Sequence, residues 1–350
     1  MRRRIWCVIL TSDAISSFVV GLPGMIRAVD HDTAEPRNIH DWELHEGMTE
    51  LPPSRPPSEV TPVSYLIAKT RLFRPLGAVV DFVSSLQSDS YDVALQIDKQ
   101  LSHAHFQLPP HLQMRDLDES ASDLSSDVNR RVQLEFLFHQ GVCVLHRRFL
   151  VPGRLDSRFA HSHEQCIKSA VVLLNLQSIL YDFAKMTDSV KAQHWYHVSC
   201  ISQEFILPAV ILCLDLRHRK KGQTEGGTPS SWSGDPHQKT MLEALTTACK
   251  IWRAVQDISP ETWKVYRVLS QLLEALVVDE EDSSSIPQKR APNPSTPGQD
   301  FGSHFLDQNN GTSFTEMDID WVSPLSFTYV SEFLLSYSVC LGFLCRGIKF

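Results

Sequence analysis

Apolar positions recur at three- and four-residue spacing through most of the chain, which is the signature of amphipathic helices. The spacing predicts helices over 2–20, from Thr61 through the apolar run that follows, and over 91–105, 127–150, 159–185, 192–217 and 239–256. In the first, Ile5, Val8, Ile9, Ile15 and Phe18 fall on or near one face. A last helix follows Pro260, where Trp263, Tyr266, Leu269, Leu273 and Leu276 form one apolar stripe. Start signals support these assignments. Thr61-Pro62, Asp235-Pro236 and Ser259-Pro260 each place a capping side chain before a proline at the first helical position. Gln238 adds the reciprocal acceptor of a capping box. No alternating run closes on an Asn-Gly or Asp-Gly turn, and no internal repeat is visible. The expected fold is all-α: a multi-helix orthogonal or superhelical array with long Pro-rich loops and a disordered C-terminal tail.

The polar stretches set the organisation. Residues 30–60 are Pro-punctuated and polar, with isolated apolar anchors at Trp42, Leu44 and Leu51. Residues 218–238 form a charged Gly/Ser/Pro loop. Residues 279–320 open on the acidic run Asp279 to Asp282 and continue in Ser, Pro, Gln and Asn, a composition expected to stay disordered. The domain expectation is therefore a helical unit over 1–279 and an acidic, polar tail over 280–350. Within that tail, 300–321 interleaves carboxylates with Phe301, Phe305, Phe314, Met317, Ile319 and Trp321. This is either an activation-type segment that offers aromatics to a partner groove or an ordinary linker. Residues 322–350 are apolar without helical period and read either as a short tail anchor or as translated non-coding sequence, for example a retained intron. The uncharged stretch from Phe333 to Cys345 is shorter than the roughly 20 residues a bilayer span takes. At the other end, the basic start and apolar run of Met1 to Leu10 imitate a secretory signal, but the run is too short and Asp13 follows. Neither a membrane segment nor secretion is expected, and the sequon at Asn310 is read as chance.

Composition adds little to fold class and more to function. Glycine is scarce, 15 of 350 residues, which disfavours a fold of tight hairpins. The net charge of −8 is the wrong sign for a free-standing nucleic-acid binder, which needs cations against phosphates. The basic run Arg217 to Lys221 sits at an expected helix end, where cations suit the C-terminal carbonyls, and this reading is preferred to a nuclear-import patch. The eight cysteines contain no C-x-x-C pair. Two weaker His/Cys groupings, His161-x-His163-x-x-Cys166 and His194-x-x-His197-x-x-Cys200, are read as helix-interface residues rather than metal ligands. There is no G-x-S-x-G elbow, no H-E-x-x-H, no phosphate-binding loop and no G-x-G-x-x-G after a strand. No catalytic, cofactor or metal residues are assigned. The chain is not expected to be an enzyme, the rival being a metabolic enzyme with a helical cavity around His194 and His197.

Several phrases occur together in a telling order. Arg3, Arg4 and Trp6 begin the first helix; Asp13 and Ser17 follow; Gly21 and Pro23 make a turn. The next loop carries Asp30, Asp32, Pro36, Arg37, Asn38 and Asp41, and Thr61-Pro62 opens the helix after it. Met317 to Trp321 supplies an acidic-aromatic end. Over roughly residues 1–280 this order resembles the fungal-specific transcription factor regulatory domain, the middle homology region of zinc binuclear-cluster regulators. The resemblance implies an all-α regulatory part of a nuclear transcription regulator that responds to metabolic or cluster-specific signals. It implies action through protein contacts or metabolite sensing, with a stand-alone co-regulator or small-molecule-binding protein as the alternative. Implied partners are other regulators or co-activators, a homo- or heterodimer, and a small-molecule effector, with DNA reached only indirectly. The family's six-cysteine zinc module is not seen, so no cofactor is expected in this chain, and the domain reads as N-terminally truncated. Arg4, Trp6, Asp13, Gly21, Pro23, Asp32, Pro36 and Arg37 are expected to hold the fold, through an Arg–Asp pair, a turn and a loop anchor.

Overall fold

The computed structural model describes residues 1–20, 22–26, 31–85, 90–115, 125–186, 205–225, 236–257 and 260–277. The expectations placed on Gly21, on 187–204 with His194, His197 and Cys200, and on the tail beyond 277 lie outside the described residues. Nine α-helices are described and no strand is found among these residues: α1 (Arg2–Val20), α2 (Ser64–Ser84), α3 (Tyr91–Phe106), α4 (Ser125–His146), α5 (Pro152–Leu155), α6 (Ala160–Met186), α7 (Ile206–Glu225), α8 (Pro236–Ala254) and α9 (Pro260–Val277). The all-α expectation holds, and most helix bounds agree to within a few residues.

Packing proceeds by neighbours. Helix α2 packs on α1, α3 and α4, while α6 packs on α4, α7 and α8, and α9 closes against α7 and α8. Two apolar cores result. One gathers Leu72, Leu76, Leu101, Leu134 and Leu145 between α2, α3 and α4. The other gathers Leu173, Leu212, Leu245, Trp252 and Leu269 between α6, α7, α8 and α9. Helix α4 contributes to both, since Val128, Val132 and Cys143 face the second core while Leu134, Leu137 and Leu145 face the first. Helix α6 is long and apolar enough to cross a bilayer by composition alone. Here that apolar surface is spent on α4, α7 and α8, as in a core helix.

Three local expectations are corrected. Helix α1 is rotated from the expected face: Cys7, Thr11 and Ile15 are buried, whereas Ile5 and Ile9 are exposed. The reason is spacing, because positions 7, 11 and 15 form a straight i, i+4 row of small or medium side chains that lets α1 lie close to α2. In α9, Trp263 is exposed and stacks on Arg267, with the guanidinium carbon 4.9 Å from the ring centroid. Thr262 takes the inward place and donates to the Gln256 carbonyl. The basic run 217–221 lies inside a helix rather than at its end, because α7 continues to Glu225. Arg and Lys are good helix formers, so a charged run need not stop a helix. Lys220 still finds a helix C-terminus, donating to the Leu276 carbonyl of α9 at 2.8 Å.

The tightest contact is at Gly141 in α4. A Cβ there would lie 2.4 Å from Leu76 Cδ2 and 3.1 Å from Leu101 Cδ2, and both leucines are buried. Gly141 is therefore the point where α4 meets α2 and α3 without a side chain between them. Gly141→Val is expected to cost about 1–3 kcal/mol by overpacking, read as a lower urea midpoint at unchanged slope. An unchanged midpoint would mean that the two leucines can move aside.

Candidate functional site

The 31–60 loop contains no regular element beyond one 3-10 turn, Asp41–Glu43, so its backbone polar groups need other partners. Asn38 supplies several of them, and Arg3, Arg4, Arg37 and Glu43 supply others. The Asn38 side-chain amide donates to the carbonyls of Pro56 and Glu59 at 3.0 and 3.1 Å. Its Oδ1 accepts from Thr61 Oγ1 at 2.6 Å and Ser64 Oγ at 3.0 Å. Its backbone N–H donates to Ser54 Oγ, and its carbonyl accepts from the Arg55 N–H. Thr61 meanwhile closes the turn that leads into α2: its hydroxyl accepts from the Val63 N–H, and Ser64 Oγ accepts from the Thr61 N–H.

The family-signature residues stand around this hub. Arg4 of α1 pairs with Asp41 at 2.5 Å and donates to the Ile39 carbonyl. The Arg–Asp pair thus uses Asp41, which lies outside the eight expected positions. Trp6 Nε1 faces His31 Nδ1 at 3.4 Å with the rings edge-on. Asp13 accepts from the backbone N–H groups of Met25 and Ile26 at 3.3 and 3.0 Å, tying the turn after α1 to that helix. Pro23 and Asp32 are exposed, and Pro36 is buried. Arg37 donates to the carbonyls of Leu51 and Pro52 at 2.6 and 2.8 Å. Glu35 receives Arg71 through Nε and Nη2, with Arg74 at 3.7 Å, and Arg55 pairs with Glu43 and Glu59. Between the loop and the α2 and α3 surfaces lies a cleft of about 370 Å³.

A second arrangement crosses α3, α4 and α6. In one layer, Asp98 meets His146 Nε2 at 3.4 Å and His161 Nε2 at 2.9 Å, while His146 Nδ1 meets Ser162 Oγ at 2.8 Å. In the other, Glu135 meets His105 at 2.8 Å and His139 at 3.1 Å, while His139 Nδ1 meets Ser169 Oγ at 3.0 Å. Asp98 and His105, His139 and His146, Ser162 and Ser169 are each seven residues apart. The layers are thus two helical turns apart, about 10.5 Å. A serine–histidine–carboxylate string is the chemistry of an activated nucleophile. Here Ser162 and His146 are wholly enclosed, and the Tyr91 hydroxyl also lies 2.9 Å from Ser162 Oγ. Both strings tie α4 to α6, and in the Asp98 layer the serine oxygen is enclosed. A third carboxylate, Asp215 of α7, accepts from Arg154 and Arg219 and meets His163 Nε2 at 2.8 Å.

The grouping of His161, His163 and Cys166 is accordingly split three ways. His161 turns to Asp98, His163 to Asp215, and Cys166 to Cys143, each thiol facing the other's carbonyl. Burial pushes the Cys143 thiol well up and the Cys213 thiol up to about 12, whereas a zinc ligand must be a thiolate. Among the described residues, no group of three or more His, Cys, Asp or Glu could hold a metal ion, and they do not fit a two-zinc thiolate cluster. Sequence reading passed over Glu35, Arg55, Arg71 and both polar layers. The seven-residue spacing of polar residues within apolar helices was the available signal for the layers.

The chain is 33% identical over 264 residues to the Zn(2)-C6 fungal-type transcription factor pigI of Monascus ruber, covering 75% of this chain and 32% of that protein. It is 29% identical over 316 residues to the Zn(2)-C6 fungal-type transcription factor mpsB of Macrophomina phaseolina, covering 90% and 40%. It is 34% identical over 273 residues to the transcription factor phm2 of a Pyrenochaetopsis species, covering 78% and 36%. The chain is homologous to fungal Zn(2)-C6 transcription factors. It spans about a third to two fifths of the length of these relatives. Other relatives are named for the equisetin, pyrrolocin and fusarisetin A clusters. No family model matches the chain, and no solved structure does.

The polar layers carry a pH dependence. Burial alone would raise the Glu135 carboxyl, but the His105 and His139 contacts outweigh it and hold it down, from 4.5 to about 2. The same balance lowers Asp98 and Asp215. A folded-state pKa below the unfolded one means that the unfolded chain takes up the proton first. The stabilisation is complete above pH 4.5 and is lost as pH falls towards 2. For Glu135 this is on the order of 3 kcal/mol. Urea unfolding at pH 7, 5, 4 and 3 should show stability falling with acid, and Glu135→Gln should flatten that slope while lowering stability at pH 7. Equal slopes in the two proteins would contradict the assignment.

Proposed function

We propose that this chain is the regulatory part of a fungal Zn(2)-C6-type transcription regulator, with residues 1–279 as its helical domain, acting in the nucleus through protein contacts or metabolite sensing. The observation that carries the reading is similarity along 75–90% of the chain to proteins named as such regulators. The helical array supports it, since it offers apolar-cored scaffolding and a cleft between the 31–60 loop and helices α2 and α3. The role is read as regulatory: in the Asp98 layer Ser162 and His146 are wholly enclosed, so that string offers no accessible nucleophile. Zinc is named for the relatives, and the reading assigns none to this chain. Partners are other regulators or co-activators, or a second copy of the chain, with DNA reached through them.

The signature residues Arg4, Trp6, Asp13, Pro36 and Arg37 are proposed as fold-holding. Each binds the loop or turn that follows α1 or is buried within it, and Gly21, Pro23 and Asp32 share those segments.

Fusing the chain to a heterologous DNA-binding domain should change transcription of a reporter carrying that domain's site by several-fold. The chain alone, with its net charge of −8, should form no tight sequence-specific complex in a DNA shift assay at physiological salt. A silent fusion, or tight specific binding by the chain alone, would contradict the reading.

A further inference from the structure

The cleft between the 31–60 loop and helices α2 and α3 has the size of a small-molecule site, about 370 Å³. Its wall is asymmetric in charge. Arg37, Arg55 and Arg71 line it against the single carboxylate Glu35. Arg55 is matched outside the cleft by Glu43 and Glu59, and Arg71 by Glu35. Arg37 is different: its contacts among the described residues are the carbonyls of Leu51 and Pro52, both through Nη1. No carboxylate is paired with it there, and Nε and Nη2 donate to no described group. Arg71 commits Nε and Nη2 to Glu35 and keeps Nη1 uncommitted among the described residues. Its helical lining includes the apolar side chains of Ile67, Ala104 and Leu108. The loop wall is held in place by Asn38, so the cleft is formed before any ligand arrives.

We infer that this cleft binds a small organic monoanion, its acid group against Arg37 and its apolar body on Ile67, Ala104 and Leu108. One unmatched guanidinium in a cleft of this size recognises one negative charge, and a planar carboxylate suits the arginine fork. The inference deepens the metabolite-sensing branch of the proposed function and rests on it for its biological meaning.

Isothermal titration of the full chain with sodium hexanoate, and with 1-hexanol as the uncharged match, tests it without DNA or a reporter. Failure of binding therefore leaves the regulator reading standing, and a silent reporter fusion leaves binding standing. Hexanoate should bind and hexanol should bind at least tenfold more weakly. Arg37→Gln should weaken hexanoate at least tenfold. Because Arg37 also braces the loop, a second variant, Ile67→Trp, fills the cleft from helix α2 and should abolish binding with helicity unchanged. Absence of hexanoate binding, equal binding of hexanol, or full affinity in Ile67→Trp would each overturn the inference.

Discussion

A loop of some thirty residues that carries almost no regular structure has to satisfy its backbone groups one by one, and in this protein the buried side-chain amide of Asn38 joins two of its carbonyls to the residues that lead into α2. Its two amide hydrogens and its oxygen take up carbonyls from 56 and 59 and hydroxyls from 61 and 64. The amide is buried, so losing a partner would leave a polar group without water as a substitute. Because Thr61 and Ser64 also close the turn that leads into α2, the same cluster sets both the loop's path and the entry to that helix. The position of Arg37, one residue before Asn38, and of Pro36 before it, follows from this anchoring. So does the wall of the cleft.

The helices themselves are held by a different constraint. Helix α4 shares its faces between two cores, and sliding along α3 would part Asp98 from His146 and Glu135 from His105, while sliding along α6 would part His146 from Ser162 and His139 from Ser169. A buried carboxylate without a partner costs several kcal/mol, far more than the gain from any one apolar contact. The two layers, two turns apart, thus give α3, α4 and α6 one shared register. Gly141 sits between the layers and allows the close approach that brings their side chains into range.

The helical character of the described residues and most helix limits were legible in the periodicity, because most of the helices bury an apolar stripe; the four-residue α5, Pro152–Leu155, was not. Exceptions have physical reasons. Burying Cys7, Thr11 and Ile15 instead of Ile5 and Ile9 favours close helix approach over maximal hydrophobic area, which a hydrophobicity pattern cannot express. Trp263 is displaced from the core by the smaller Thr262. The cleft was not legible at all, because it is made by residues from three separate segments. Its loop side shows in the sequence as Pro36-Arg37-Asn38, which the family resemblance marked as important without saying that Asn38 was the hub. The layers left a faint mark in the seven-residue spacing, hidden because histidine and serine are ordinary in helix interfaces.

The central claim is that the 31–60 loop is a fastened part of the fold rather than a linker, and amide hydrogen exchange tests it directly. Backbone amides of Asn38, Arg55 and Thr61, whose hydrogens go to Ser54, to the Asn38 carbonyl and to Ser64, should be protected in the native chain. Asn38→Ala should expose them to fast exchange while α6 and α8 keep their protection. Fast exchange at all three amides in the native chain, or protection unchanged in Asn38→Ala, would contradict the account.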